Sequence, residues 1–338
     1  MLILSIESSC DETAAAITRN GREVLADEII SQADKFALYG GVVPEIASRS
    51  HLAVIARLAD AAIARAGVAK QDLDAVAATY APGLIGALLV GLNFAKGAAL
   101  ALGKPFIPVH HLRGHVAANY IAFPELTPPF LALIVSGGNS LLADVRGYTD
   151  VRVLGSTRDD AAGECFDKAA RVLGLPYPGG RALDELARSA QTTQPGVSEF
   201  KLPRPSVAGA PFDMSFSGLK TAVVNIVHNA EQKGETLDRA SLAASFAAAV
   251  SDILVPRAML AARELGYEKI AVAGGVAANS RIRADLQAAA ERAGKTLYLP
   301  PLKLCGDNAA MIGCQAYYEY LSGNTRGMDT NAYATLEM

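Results

Sequence analysis

One local pattern occurs twice in this chain. Residues 2–7 (LILSIE) are an apolar run of strand length, SSCDE is a polar turn, and TAAAIT resumes as a second strand. Residues 129–145 (PFLALIVSGGNSLLADV) repeat the design: an apolar strand runs into SGGNS and returns as LLADV. Run length and the flanking turn residues argue for strands in both places. Either unit alone reads equally well as an ordinary hairpin with a solvated tip. Together, in a 338-residue chain long enough for two domains, they imply two homologous halves facing one cleft. Both turns also suit an anion. In the first, Ser8, Ser9 and the turn amides can donate, while Asp11 and Glu12 can hold a cation or orient a nucleophile. In the second, Gly137 and Gly138 permit positive φ and close approach of backbone N–H groups to a phosphate.

Elsewhere strands alternate with helices. Residues 43–66 have helical periodicity, with Pro44 suited to the first turn and Gly67 to the C-terminus. A buried strand (74–80), a glycine-rich packed helix (81–103) and a short strand (106–109) follow. Such alternation predicts an α/β fold with a mostly parallel sheet and helices on its faces. A strand at 151–156 precedes helical stretches at 159–175 and 176–188. Residues 192–217 are Pro-, Gly- and Ser-rich and read as a long loop carrying Lys201 and Arg204. Helices are expected over 217–232 and 237–266, the second containing Pro256. Residues 268–287 read as strand, glycine turn and helix, and 302–321 close on an apolar helix. Apolar runs are broken by Gly or charge short of a membrane span, and no basic segment precedes the first one, so neither a spanning helix nor a signal peptide is expected. The four cysteines, Cys10, Cys165, Cys305 and Cys314, form no CxxC pair and read as reduced thiols of a cytoplasmic protein. The net charge of −3 argues against a broad nucleic-acid-binding surface but leaves room for a local patch, for which Lys201, Arg204 and Lys220 are candidates.

The chemistry-bearing residues are few. His111 and His115 in VHHLRGHVAANY (109–120) stack on one face if the segment is helical, and two imidazoles so placed can share a metal ion. A helix cap or a satisfied core histidine fits the bare spacing as well. With His110 they make three of only five histidines. Gly114 sits inside the same helix at a cost of about 1 kcal/mol relative to Ala, so a close backbone approach is expected there. Leu112 stands where a zincin protease carries its general-base Glu, which excludes that chemistry. Asp307 could cap the last helix or supply a third, oxygen ligand. Asp167 falls at helical spacing with Asp160, Glu164 and Lys168, either on the surface or toward a cleft. Gly179 and Gly180 would present N–H groups one turn before Asp184, and Gly274, Gly275 and Asn279 sit where an adenosine could rest.

Taken in order, the blocks IESSCDETAAAI, YGGVVPEIASRSH, YAPGLIGALLVG, VHHLRGH, VSGGNS, DDAAGECFDKAARVLGLPYPGG, MSFSGLKT, AGGVAANSRIR and CGDNAAMI resemble the TsaD family, the tRNA threonylcarbamoyladenosine transferases once labelled O-sialoglycoprotein endopeptidases. The resemblance implies an actin-like (ASKHA) fold, α/β with two lobes of mixed sheets around a central cleft. The lobes would be residues 1–128 and 129–338, the second with a helical insertion around 157–240 and a final helix (about 306–322) able to pack back on the first. It implies transfer of the threonylcarbamoyl group of L-threonylcarbamoyl-AMP to the exocyclic amine of the adenosine just 3′ of the anticodon, in tRNAs reading codons that begin with A. By the same resemblance His111, His115 and Asp307 hold one divalent metal, iron or zinc. Ile134, Val135, Ser136, Gly137 and Gly138 bind phosphate and carbamoyl, Asp167, Gly180, Asp184 and Asn279 hold the adenosine of the adenylate (or of ATP or AMP in its place), and Asp11 and Glu12 serve transfer. TsaB-like and TsaE-like partners and a TsaC-like synthase are implied, with no membrane. Two positions depart from common family forms: Asn139 where many bacterial members have His, and Ile134 where archaeal ones have Tyr. The competing readings are a kinase or ATPase of the same fold and an inactive regulatory paralogue. The first has no need of paired histidines, and the second sits poorly with so complete a residue set.

Overall fold

In the computed structural model residues 1–190 and 200–338 are described, so residues 192–199 of the expected long loop lie outside the described residues. The chain divides into two compact units. The first comprises Met1–Pro128, Val145–Val151 and Pro300–Met338, the second Pro129–Asp144 and Arg152–Leu299.

In the first unit β1 (Leu2–Glu7), β2 (Glu12–Arg19), β3 (Glu23–Ser31), β4 (Ala75–Ala81) and β5 (Phe106–His110) form one sheet in the order β3-β2-β1-β4-β5. β1 runs antiparallel to β2 and parallel to β4, which runs parallel to β5. The sequence reading had no counterpart for β3. It follows a tight turn in which Asn20 and Gly21 take φ of 50° and 75°, the conformation that an Asn-Gly pair between strands favours. Helices α1 (Ala33–Phe36), α2 (Pro44–Ala66), α3 (Ile85–Leu102) and α4 (His111–Ala122) complete the first segment. α2 and α3 end on Gly67 and Gly103, both left-handed as a helix-terminating glycine should be.

The second unit holds β6 (Phe130–Val135), β7 (Ser140–Val145), β8 (Val151–Ser156), β9 (Lys269–Ala273) and β10 (Thr296–Tyr298), ordered β10-β9-β6-β7-β8. This is the first sheet's connectivity again: three consecutive strands side by side, then two later strands added on the side of the first of them. Its helices are α5 (Ala162–Val172), α6 (Gly179–Arg188), α7 (Ser217–Lys233), α8 (Arg239–Glu264) and α9 (Ser280–Arg292). The chain then returns to the first unit with α10 (Ala309–Leu321).

Alternation along β1 separates two cores. Ile3 packs with Ile107, Val109, Met311 and Ile312, whereas Leu4 and Ile6 pack with Ile55, Leu58 and Leu92. α4 and α10 therefore cover one face of the sheet and α2 and α3 the other, as the period of two requires. Arg22 donates to Tyr318 Oη at 2.7 Å and to Tyr148 Oη at 3.1 Å, which ties residues 145–151 into this unit. Contrary to the sequence reading, α3 and α8 are both long and apolar enough to cross a membrane. Their packing differs: about a third of α3 is buried, against most of α8. On α3 a Cβ at Gly91 would come within 2.3 Å of Ser8 Oγ. The glycine that interrupts the apolar run is what lets the helix lie against β1.

Asp27 on β3 accepts the Ala309 N–H at the start of α10 (3.3 Å), and burial pushes its carboxyl up to about 6, outweighing the amides that favour the ionised form. Its folded value exceeds the unfolded one, so this contribution to stability is complete below the ordinary carboxylate range and is lost as pH rises through about 6. Asp27→Asn is expected to gain up to about 3 kcal/mol on the wild type at pH 8 relative to pH 4, a difference measurable by urea denaturation at the two pH values.

Candidate functional site

β5 ends at His110, and α4 begins at the next residue. His110 points its Nε2–H at the Leu336 carbonyl (3.1 Å) and takes no part in the histidine pair. His111 and His115, one turn apart, set their rings edge to face at 4.6 Å. Asp307 Oδ1 lies 3.5 Å from His111 Nε2 and 3.1 Å from His115 Nε2. One ligand atom from each of the three residues falls within 4.8 Å of the others. Asn308, not Asp307, caps α10, accepting the Met311 N–H at 2.8 Å. This leaves the Asp307 carboxylate for the histidines. The residues fit a divalent cation on a further ground: both ring nitrogens of His115 are buried, Nδ1 has no partner and Nε2, though 3.1 Å from Asp307 Oδ1, makes no aligned hydrogen bond, a costly state that a ligated ion would relieve at Nε2.

Gly114 has its explanation here. A Cβ at that position would meet Ile312 Cδ1 at 2.7 Å, so the glycine admits α10 against α4 and with it Asp307. Electrostatics bind the cluster further. Burial would lower the His111 imidazole, but the Asp307 and Glu7 carboxylates outweigh it and hold it well above its ordinary value. Burial would raise Asp307, and His111 and His115 hold it far below the usual carboxylate range.

Glu7, which the sequence reading passed over, is fully buried at the end of β1. It accepts from His111 Nδ1 at 3.0 Å and Thr79 Oγ1 at 2.6 Å. A lone carboxylate closing an otherwise apolar strand was the available signal, since buried acids are almost always partnered. His51 was also missed. From α2 its Nε2–H donates to the Cys10 carbonyl (2.9 Å) while Nδ1 faces Thr13 Oγ1 (2.7 Å), clamping the turn that carries Asp11 and Glu12. Asp11 is buried and its carbonyl accepts the Gln32 N–H at 2.9 Å. Burial, then Asp307 and Asp11, push Glu12 up to about 9, so it is neutral at pH 7. Burial and Asp11 push the neighbouring Cys10 thiol up as well, which keeps it from acting as a thiolate nucleophile.

In the second unit Ile134 and Val135 end β6, and Ser136, Gly137 and Gly138 turn toward β7. Neither glycine adopts the positive φ expected of it. Both are exposed with open space where a Cβ would stand, so neither an unusual conformation nor a close contact requires glycine there. The Ser136 and Gly137 carbonyls accept from Gly163 N and Glu164 N (3.1 and 3.0 Å), so those first-turn amides of α5 hold the loop. Gly274 needs its φ of +93°, because a Cβ there would come within 2.3 Å of the Val135 carbonyl. Asp167 accepts the Gly179 N–H at 2.8 Å and lies beside Gly180 at the start of α6. From the other side of α6 Asp184 accepts Ser280 N–H (3.1 Å) and Oγ–H (2.7 Å), adjoining Asn279. Asn279 caps α9 through its carbonyl oxygen, and its buried Nδ2 has no partner. Of the expected basic patch, Arg204 is bound to Asp252 and Lys220 to Asp160, which spends both charges locally.

Comparison with known proteins agrees with this assembly. The family model for tRNA N6-adenosine threonylcarbamoyltransferase, TsaD, matches residues 23–314. The enzyme of that name from Moorella thermoacetica is 53% identical over 99% of this chain and 97% of its own length. One from Clostridium botulinum is 48% identical over the same shares. Among solved structures, HypF of T. kodakarensis is similar with a TM-score of 0.62 at 17% identity, over 96% of this chain and 48% of that one. Component A of the Acidaminococcus fermentans (R)-2-hydroxyglutaryl-CoA dehydratase gives 0.56 at 17% identity, over 95% and 99%. These likenesses identify the duplicated α/β fold as the actin-like one.

Two adjacent substitutions separate ligation from capping. Asp307→Ala is expected to abolish tight zinc binding in equilibrium dialysis, where the wild type takes up one ion per chain. Asn308→Ala is expected to keep the ion and lose about 1 kcal/mol of stability in denaturant titration.

Proposed function

The chain belongs to the TsaD family of tRNA N6-adenosine threonylcarbamoyltransferases, and from that membership we propose how its residues divide the work. The reaction class follows from the family: a threonylcarbamoyl group passes to N6 of an adenosine in tRNA. In our reading the donor is threonylcarbamoyl-AMP and the acceptor is the adenosine just 3′ of the anticodon in tRNAs reading codons that begin with A. The amine forms a C–N bond to the carbamoyl carbon, the C–O bond to AMP breaks, and the amine gives up a proton.

Such a transfer needs the reactants aligned, charge on the carbonyl oxygen stabilised and the departing phosphate held. The observation that carries the reading is the convergence of His111, His115 and Asp307, with His115 Nε2 buried and lacking an aligned hydrogen bond. A divalent ion, iron or zinc, held by these three supplies Lewis acidity toward carbamoyl or phosphate oxygens. Exposed backbone at Gly137 and Gly138, with Ile134, Val135 and Ser136 behind it, is assigned to the phosphate and carbamoyl groups. The free Nδ2 of Asn279, with Asp167, Gly180 and Asp184, is assigned to the adenosine. Asp11 orients the attacking amine, and Glu12, neutral at pH 7, can donate a hydrogen bond there.

The protein acts in the cytoplasm with partners. Exposed apolar side chains at Leu52 on α2 and Ile85, Leu89 and Leu100 on α3 favour a protein partner on the first unit, which we assign to a TsaB-like chain. A TsaE-like protein and a TsaC-like synthase that makes the adenylate complete the set. The net charge of −3 fits a protein that grips tRNA with help.

Depleting the protein in its own cells is expected to remove threonylcarbamoyladenosine from bulk tRNA, as read by nucleoside mass spectrometry. Wild type should restore it, and His111→Ala should not, although that variant still folds by circular dichroism. Full restoration by His111→Ala would end the metal assignment; unchanged modification after verified depletion would end the tRNA reading.

A further inference from the structure

Glu7 belongs to none of the residue sets assigned above. It ends β1 with no solvent exposure, and three donors converge on it: Ser9 N–H at 2.5 Å on one oxygen, and Thr79 Oγ1 at 2.6 Å and His111 Nδ1 at 3.0 Å on the other. The Ser9 amide on one oxygen and the Thr79 hydroxyl on the other favour the ionised carboxylate, and the Ser9 hydroxyl, 3.2 Å from His111 Nδ1, can accept a share of that nitrogen's hydrogen. The Ser9 amide can only donate, and Thr79 already supplies its hydroxyl hydrogen to the oxygen that faces the ring. An ionised carboxylate has only lone pairs to offer, so the proton between it and the imidazole sits on Nδ1. Whenever the ring is neutral, its lone pair is then on Nε2, the nitrogen that faces Asp307 Oδ1 at 3.5 Å. His115 has no such support, because its Nδ1 is buried without a partner. The two histidines are therefore unequal: one is oriented and tautomer-locked before any ion arrives, and the other is not.

We propose that Glu7 is a positioning residue that locks His111 in the Nδ1–H form and so makes it the preorganised ligand of the His111–His115–Asp307 set. A carboxylate behind a ligating imidazole fixes the ring and makes its other nitrogen a better donor, and losing such a partner costs about 10- to 100-fold in metal affinity. In Glu7→Gln the side chain keeps its volume. Its single oxygen cannot serve both the Ser9 amide and His111, and its amide hydrogens favour the opposite tautomer of the ring.

The inference rests on the metal reading of the site, and the experiment separates the two. Zinc affinity is measured on the full chain by competition with a chromophoric chelator, alongside long-range nitrogen–proton NMR spectra of the five histidines in the zinc-free wild type. The expected results are a neutral, Nδ1-protonated His111 ring or an imidazolium whose Nδ1 proton is protected from exchange, and an affinity about 10- to 100-fold weaker in Glu7→Gln. Glu7→Asp, which keeps the charge on a shorter arm, should recover part of that loss. A wild type that binds no zinc would overturn the metal reading. A wild type that binds zinc, with a folded Glu7→Gln binding within threefold of it, would overturn this inference alone. Should Glu7→Gln fail to fold, the wild-type spectra decide, and an unprotonated Nδ1 on His111 refutes the lock.

Discussion

Everything at the candidate metal centre depends on how closely α10 can lie against the first sheet. Two glycines permit it. A Cβ at Gly313 would come within 2.6 Å of Thr18 Oγ1 and 2.8 Å of Ser5 Oγ, and one at Gly114 would strike Ile312. Ser5, buried in the middle of β1, then donates to the Ala309 carbonyl at 2.7 Å in the first turn of α10. That bond satisfies a buried hydroxyl and fixes the helix along its axis. Asp307, two residues before α10, arrives opposite two histidines on α4 by virtue of this contact.

The charges gathered there explain why such a site calls for a cation. Glu7, Asp11 and Glu12 come from one strand–turn–strand unit and Asp307 from far along the chain, and the imidazoles offset them only partly. Glu12 responds by holding its proton, whereas Glu7 and Asp307 stay ionised because His111 stands between them. Burying like charges without a counter-ion is costly, and the protein meets that cost through one shared imidazole. The second unit works differently. Its turn is exposed at two glycines, and its carboxylates Asp167 and Asp184 are bonded to N–H groups at helix starts rather than gathered around a shared imidazole.

Much of this was legible in the sequence. The repeated strand–turn–strand units correspond to β1–β2 and β6–β7, and the two sheets share one connectivity. His111 and His115 share a helix face because the spacing requires it, and Gly114 marked a close approach before the approaching helix was known. What could not be read was contact between distant segments. Spacing left Asp307 open between cap and ligand, and the neighbouring Asn308, by taking the cap, removed the first of these. Gly137 and Gly138 suggested unusual backbone, yet neither takes a positive φ or meets a close neighbour. β3 escaped because an edge strand with mixed exposure lacks clean alternation, although Asn20-Gly21 announced it. Glu7 and His51 escaped because a residue that acts through another leaves no periodic trace.

The return of α10 to the first unit also sets an order in time. A chain emerging from the ribosome presents β1 to β5 and both histidines early, but the face of the sheet that α10 covers stays open until the residues after Pro300 have been made. Until then Ser5 has no Ala309 to bond and the histidines have no carboxylate opposite them. The candidate centre is thus complete only when synthesis is: a truncated product, however well its sheets have formed, has two histidines but not the carboxylate opposite them.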